Sequence, residues 1–102
     1  MKLSVVISVY NEEQVLPVFI REIAGTLEKD YSEYELIFVN DGSTDNSQQL
    51  IDEYAGKDNR VKSIRLSRNF GHEAAMIAGI DYATGDAVIC MDSDLQHPPS
   101  LI

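Results

Sequence analysis

A chain of 102 residues is one domain at the small end of the usual range, and 44% apolar with 25% charged residues is a globular composition, not a disordered one. The formal net charge of −9 excludes general binding to nucleic-acid phosphates or anionic lipid through this segment, since both need a basic face. An anionic ligand is compatible with such a chain when a divalent cation lies between them.

The one cysteine, Cys90, can form no internal disulfide, and its place in the apolar run AVICM predicts a buried, reduced thiol and a cytoplasmic setting. No apolar stretch approaches the ~20 residues that cross a bilayer, and the N-terminus carries no signal-peptide pattern.

The first apolar run, Leu3–Val9 (LSVVISV), predicts a strand covered on both faces, as in a parallel sheet. It is followed by Leu16, Ile20, Ile23 and Leu27 at helical spacing, with Pro17 placing the helix start near Gln14 to Leu16. Glu35–Val39 (ELIFV) reads as a second doubly covered strand. The next helix carries Leu50, Ile51, Tyr54 and Ala55, with Asp45 and Gln48 as a capping box and Gly56 as its stop. Val61–Leu66 (VKSIRL) alternates, which predicts an edge strand. Asn69 can cap a third helix bearing Ala75, Met76, Gly79, Ile80 and Ala83, with Gly85 as its stop, before a last doubly covered strand at Ala87–Met91. The order β-α-β-α-β-α-β predicts an α/β layer fold: four mostly parallel strands with three crossover helices.

Ligands of parallel sheets bind beyond the carboxyl ends of the strands. The polar clusters Tyr10-Asn11-Glu12-Glu13, Asn40-Asp41-Gly42-Ser43, Ser67-Arg68-Asn69 and Asp92-Ser93-Asp94 all fall there. Taken singly, most have a plain structural reading: a turn at Asn40–Ser43, caps at Asn11 and Asn69, a surface charge at Arg68, a structural imidazole at His72. Asp92 and Asp94 are different. On an extended backbone they project to one side, and their repulsion calls for a proton or a cation. Hard oxygen ligands suit Mg²⁺ or Mn²⁺, and Gln96 offers another oxygen. His97 beside Pro98 can ligate or only pack.

The stretches SVVISVYNEE, FVNDGSTDNS, RLSRNFGHEAAMIAGI and ATGDAVICMDSDLQHPP, in this order, resemble the N-terminal part of family-two glycosyltransferases with the GT-A fold. The branch they are most similar to is that of dolichol-phosphate mannose synthases and bacterial polyprenyl-phosphate glycosyltransferases. The resemblance implies a three-layer Rossmann-like sheet with the fourth strand beside the first. It implies that Tyr10 and Glu12 hold base and ribose, that Asp41 reads the base, and that Arg68 approaches the nucleotide or its phosphates. Asp92 and Ser93 then belong to the nucleotide site, and Asp92, Asp94 and Gln96 to the metal. Asn40 stands where many relatives have Asp, which argues against a metal or base role there.

By the same resemblance, residues 1–102 are an incomplete, donor-binding portion of a glycosyltransferase domain, inactive alone. The UDP- or GDP-linked sugar is the donor, and the acceptor of the complete protein is a polyprenyl phosphate at the cytoplasmic face of a membrane. An open fourth-strand edge would favour a homo-oligomer. Alternatives are a sugar-hydroxyl acceptor, as in polysaccharide synthesis, and a non-catalytic nucleotide-binding or assembly module. A dinucleotide oxidoreductase is disfavoured, because Tyr10–Glu13 replaces the glycine-rich turn after the first strand. A phosphoacceptor module would gather its acidic residues at that same exit.

Overall fold

The computed structural model describes residues 2–92. Its elements alternate as expected: β1 (Lys2–Val9), α1 (Leu16–Asp30), β2 (Glu33–Asn40), α2 (Ser47–Lys57), β3 (Val61–Arg65), α3 (His72–Tyr82) and β4 (Ala87–Asp92). The four strands are parallel in the order β3-β2-β1-β4. The chain steps from β1 to β2 to β3 in one direction and then returns past β1. With right-handed crossovers, that reversal moves the connecting helix to the other face.

Period-two alternation sorts the core accordingly. Leu3, Val5, Ile7 and Val9 of β1 join Tyr34, Leu36 and Phe38 of β2 against Leu16, Phe19, Ile20, Ile23 and Leu27 of α1 and Ile51 of α2. Val6, Ile37 and Val39 line the opposite face with Ala75 of α3. Pro17 lies in the first turn of α1, where a missing N–H costs nothing. Each large side chain of this stripe stabilises the fold by roughly 1.5–3 kcal/mol through burial. Gly79 lets α3 lie close on the sheet: a Cβ there would meet Val6 Cγ1 and come within 3.1 Å of Val39 Cγ2.

Four expectations need correction. Asp45 and Gln48 form no capping box: Gln48 Oε1 accepts from Asn40 Nδ2 at 2.9 Å, and its Nε2 donates to Ser63 Oγ at 2.9 Å and Asp52 Oδ1 at 2.8 Å. Gly56 lies inside α2, which continues to Lys57. Gly85 does not stop α3; it lets the backbone pass Ser4 and Lys2, where a Cβ would lie 2.9 Å from the Lys2 carbonyl. Cys90 is exposed, and with Val88 (40% exposed) it shows that β4 is not covered on both faces. The reason is topological. The side of β4 that bears Ala87, Ile89 and Met91 joins the α1–α2 core, whereas α3 lies over β1 and β2.

At the amino end of the sheet, Glu35 is a buried charge with a full set of partners. Its Oε2 accepts from Ser4 Oγ (2.6 Å), Thr84 N (2.8 Å) and Thr84 Oγ1 (3.1 Å), and Lys2 Nζ lies 3.7 Å from Oε1. Burial pushes its pKa up, but the bonds from Ser4 and Thr84 and the Lys2 charge outweigh it and hold the carboxyl below its ordinary range. The network ties the turn before β4 to β1 and β2.

Two outcomes follow from this packing. Glu35 titrates lower in the folded chain than in the unfolded one. Its contribution is therefore present above its ordinary value of 4.5 and is lost as the pH falls through the folded value. In urea melts, Glu35→Gln should cost about 1–2 kcal/mol at neutral pH, the gap to wild type closing in strong acid; a constant gap would refute the network. Gly79→Ala should lower the melting temperature, because overpacking costs about 1–3 kcal/mol against a helix-propensity gain of about 1 kcal/mol.

Candidate donor site at the carboxyl edge of the sheet

Parallel pairing brings the strand exits level. Val9 pairs with Asn40, Asn40 with Arg65, and Ser8 with Asp92. The loops after β1, β2 and β3 and the end of β4 therefore share one edge, and the strand order reverses between β1 and β4, where an open α/β sheet has its ligand crevice. Ser93, Asp94, Gln96 and His97 lie outside the described residues. Among the described residues, no group of three or more His, Cys, Asp or Glu side chains could hold a metal ion.

The β1–α1 loop is laced to the β2–α2 loop. Three successive N–H groups, of Asn11, Glu12 and Glu13, donate to Ser43 Oγ (2.9 Å), Ser47 Oγ (3.0 Å) and Asp45 Oδ2 (3.2 Å). In return, Asn11 Oδ1 accepts from Thr44 N at 2.8 Å, and Asn11 adopts φ 52°. Asn11 is thus no cap of α1; it is a turn residue in the left-handed region that asparagine tolerates. A cavity of about 350 Å³ opens here, lined by Asn11, Glu12, Glu13, Gln14, Val15 and Asp45. Tyr10, the residue before Asn11, is 44% exposed.

The exit of β2 is buried. Asn40 Oδ1 accepts from Ser43 N at 2.9 Å while its amide donates to Gln48, so both ends of the side chain are engaged within the fold. Asp41, 3% exposed, accepts from Phe70 N at 2.8 Å through Oδ1 and from Gly71 N at 3.1 Å through Oδ2. Asn69 Oδ1 also accepts from Gly71 N, at 2.9 Å, one residue short of the α3 start. Arg68 is exposed, with its guanidinium carbon 4.7 Å from the centre of the Phe70 ring. His72 is exposed at the start of α3.

The edge therefore unites Tyr10, Glu12, Asp41 and Arg68 with the backbone of Asp92. Sequence reasoning read Ser43 as part of a turn and Asp45 as half of a capping box, and it missed Ser47 and Phe70. The signal available for the first three was their alternate spacing directly after a buried strand. Asp45 holds a second bond, from Ser47 N at 2.9 Å. Burial pushes its pKa up, but the bonds from Ser47 and Glu13 prevail and hold it below the ordinary carboxylate range. Asp45→Ala should cost about 1 kcal/mol, as loss of a capping bond does. It should also speed hydrogen exchange at the Glu13 amide; an unchanged Glu13 amide would refute the lacing.

Comparison with known proteins gives this edge a context. The family model described as glycosyl transferase family 2 matches residues 4–102. The chain is 48% identical over 102 residues to the undecaprenyl-phosphate 4-deoxy-4-formamido-L-arabinose transferase of Proteus mirabilis (strain HI4320), covering 99% of this chain and 31% of that protein. It is 43% identical over 102 residues to the prophage bactoprenol glucosyl transferase homolog of Escherichia coli (strain K12), covering 100% of this chain and 33% of that protein. Its fold matches the crystal structure of S. aureus TarS 1-349 in complex with UDP with a TM-score of 0.74, at 33% identity, over 92% of this chain and 28% of that one. The chain spans about a third of the length of these curated relatives. With the family model matching nearly its whole length, on a parallel sheet of the expected order, the chain belongs to glycosyl transferase family 2.

Proposed function

We propose that this chain supplies the donor-binding part of an inverting, metal-dependent transferase that moves a sugar from a nucleoside diphosphate to a polyprenyl phosphate. The observation that carries this reading is the levelling of the polar strand exits around the β1/β4 reversal. Tyr10 and Glu12 serve the base and ribose, and Arg68 serves the diphosphate. Asp41 stands at the same edge with its carboxylate bound to the β3–α3 loop. The relatives named for undecaprenyl phosphate and bactoprenol support a lipid-phosphate acceptor, and the UDP complex of a relative supports a uridine nucleotide.

In the reaction, the bond from the anomeric carbon to the donor diphosphate breaks, and one from that carbon to an acceptor phosphate oxygen forms on the opposite face. The leaving nucleoside diphosphate keeps the electron pair. An ionised phosphate needs little help from a general base, unlike a sugar hydroxyl. By residue type, Asp92, Asp94 and Gln96 would offer the oxygen ligands that suit Mg²⁺ or Mn²⁺, and such an ion would stabilise the charge on the leaving group. In a chain of net charge −9, such a cation and Arg68 would offset the repulsion that a diphosphate meets at an acidic edge.

Calorimetric titration with UDP and GDP, with and without Mn²⁺, tests the reading. UDP should bind, more tightly with Mn²⁺, and the gain should vanish in the Asp92→Ala/Asp94→Ala variant. Binding indifferent to both metal and variant, or no nucleotide binding by the folded wild type, would sink it.

A further inference from the structure

The apolar residues of β4 do not fix its register. Shifting a strand by one residue turns every side chain to the other face, so register is ordinarily set by which residues the core accepts. In AVICM that rule discriminates weakly. Ala87, Ile89 and Met91 join the α1–α2 core, whereas Val88 and Cys90 are exposed on the other side, and both sets are apolar. Among the described strands β4 pairs with β1 alone, so no second ladder holds the alignment.

Polar bonds at the amino end of the strand supply what the pattern lacks. Residues 84–86, just before β4, are tied to β1 and β2 at three successive positions. Thr84 donates to Glu35 Oε2 of β2 through N at 2.8 Å and through Oγ1 at 3.1 Å. Gly85 N donates to Ser4 Oγ at 2.8 Å, and Ser4 Oγ donates to the same Glu35 oxygen at 2.6 Å. Asp86 N donates to the Lys2 carbonyl, and Lys2 N to Asp86 Oδ2, each at 2.8 Å. Sterics point the same way. A Cβ at Gly85 would lie 2.8 Å from Ser4 N and 2.9 Å from the Lys2 carbonyl, nearer than side chains come. A slip of one residue would bring Thr84 or Asp86, each with a Cβ, onto that backbone. It would also strip donors from the buried Glu35 carboxylate, a costly state for a charge.

β4 runs from this turn to the donor edge, where Asp92 is level with Ser8 of β1. We propose that Glu35 is a positioning residue of the donor site: by holding residues 84–86 on β1 and β2 it sets the register of β4, and so brings Asp92, and not a neighbour in sequence, level with Ser8. Its effect on the ligand rests on the donor-site reading; its effect on register does not.

Cys90, the one cysteine, reports the register. It is exposed in the observed alignment, and a slip of one residue would carry it to the covered face. Maleimide labelling of the folded protein and UDP titration in Mn²⁺ are measured on wild type, Glu35→Ala and a core control on α2, Ile51→Ala. In Glu35→Ala, labelling should slow and UDP affinity should fall by the same factor, because only molecules in register do either. The factor is about two if half of the molecules slip. Lost stability without a slip would speed labelling or leave it unaltered, as Ile51→Ala should, with UDP affinity unmoved. Ser4→Ala removes the bridge between Glu35 and Gly85. It should behave as Glu35→Ala does, and it carries the test if that variant does not fold.

Unslowed labelling in these two variants, or equal slowing in Ile51→Ala, would overturn the register role. Slowed labelling with wild-type UDP affinity would overturn the tie to the donor site and leave the donor reading intact. A folded wild type that binds no UDP would overturn the positioning role together with that reading.

Discussion

Backbone N–H groups at the carboxyl edge of the sheet must find acceptors, and the rest of the site depends on how they do. Each helix there opens with N–H groups that have no partner within the helix. None of α1, α2 and α3 has a side-chain hydrogen bond from its own N-cap residue. Residues 41–47 supply acceptors to the loops that lead into these helices. Ser43, Asp45 and Ser47 take the N–H groups that lead into α1, Asp45 also takes that of Ser47, and Asp41 takes those that lead into α3. The short DGSTDNS stretch thus holds the loops on both sides of it. Loop shape at a binding edge is set by these bonds more than by the strands below.

The same bonds govern the electrostatics. A chain of net charge −9 is a poor host for a diphosphate. Here carboxylates near the edge are turned inward: Asp41 is buried, and Asp45 is engaged twice by backbone N–H. Arg68 is left pointing to solvent on an aromatic ring. The amino end of the sheet uses the same device for a different purpose, because Glu35 is enclosed by Ser4, Thr84 and Lys2 to fix a turn. Local field is set by which charges have partners, and composition alone does not reveal that.

Elements defined by periodicity were legible in the sequence. The stripe Leu16, Ile20, Ile23 and Leu27 is buried as spacing demands, and β3 lies at the edge that its alternation predicts. Properties that depend on what packs where were not. Cys90 lies in an apolar run as continuous as that of β1, yet it is exposed because α3 covers β1 and β2 and not that side of β4. Gln48 looked like a capping residue three positions after Asp45, but a buried amide on β2 and a hydroxyl on β3 claim it. Glu35 reads as the polar start of a strand until Ser4 and Thr84, far off in sequence, are placed against it. Tyr10, Glu12, Asp41 and Arg68 were placed at the correct edge by strand-exit logic, which needs only topology. Their partners are side chains and N–H groups that only the tertiary fold brings near.

The exit of β2 shows how the two halves of this edge are joined. Successive residues of a strand point to opposite faces, and that alternation continues past the last residue of β2. Phe38 belongs to the face of α1 and α2, and Val39 to the face of α3. Asn40 follows the first, bonding Gln48 of α2, and Asp41 follows the second, bonding the loop into α3. An amide is required at the first position, because it must donate to Gln48 Oε1 and accept from Ser43 N. An anion is suited to the second, because both its partners are donors. Gly42 then completes the pair, since the chain must turn at positive φ against the Arg68 backbone. The order Asn-Asp-Gly reads as an ordinary turn in sequence. In the fold, each residue answers to a different layer, and exchanging Asn40 with Asp41 would conserve composition and charge while removing the donor to Gln48 Oε1 and one of the two acceptors that hold the β3–α3 loop.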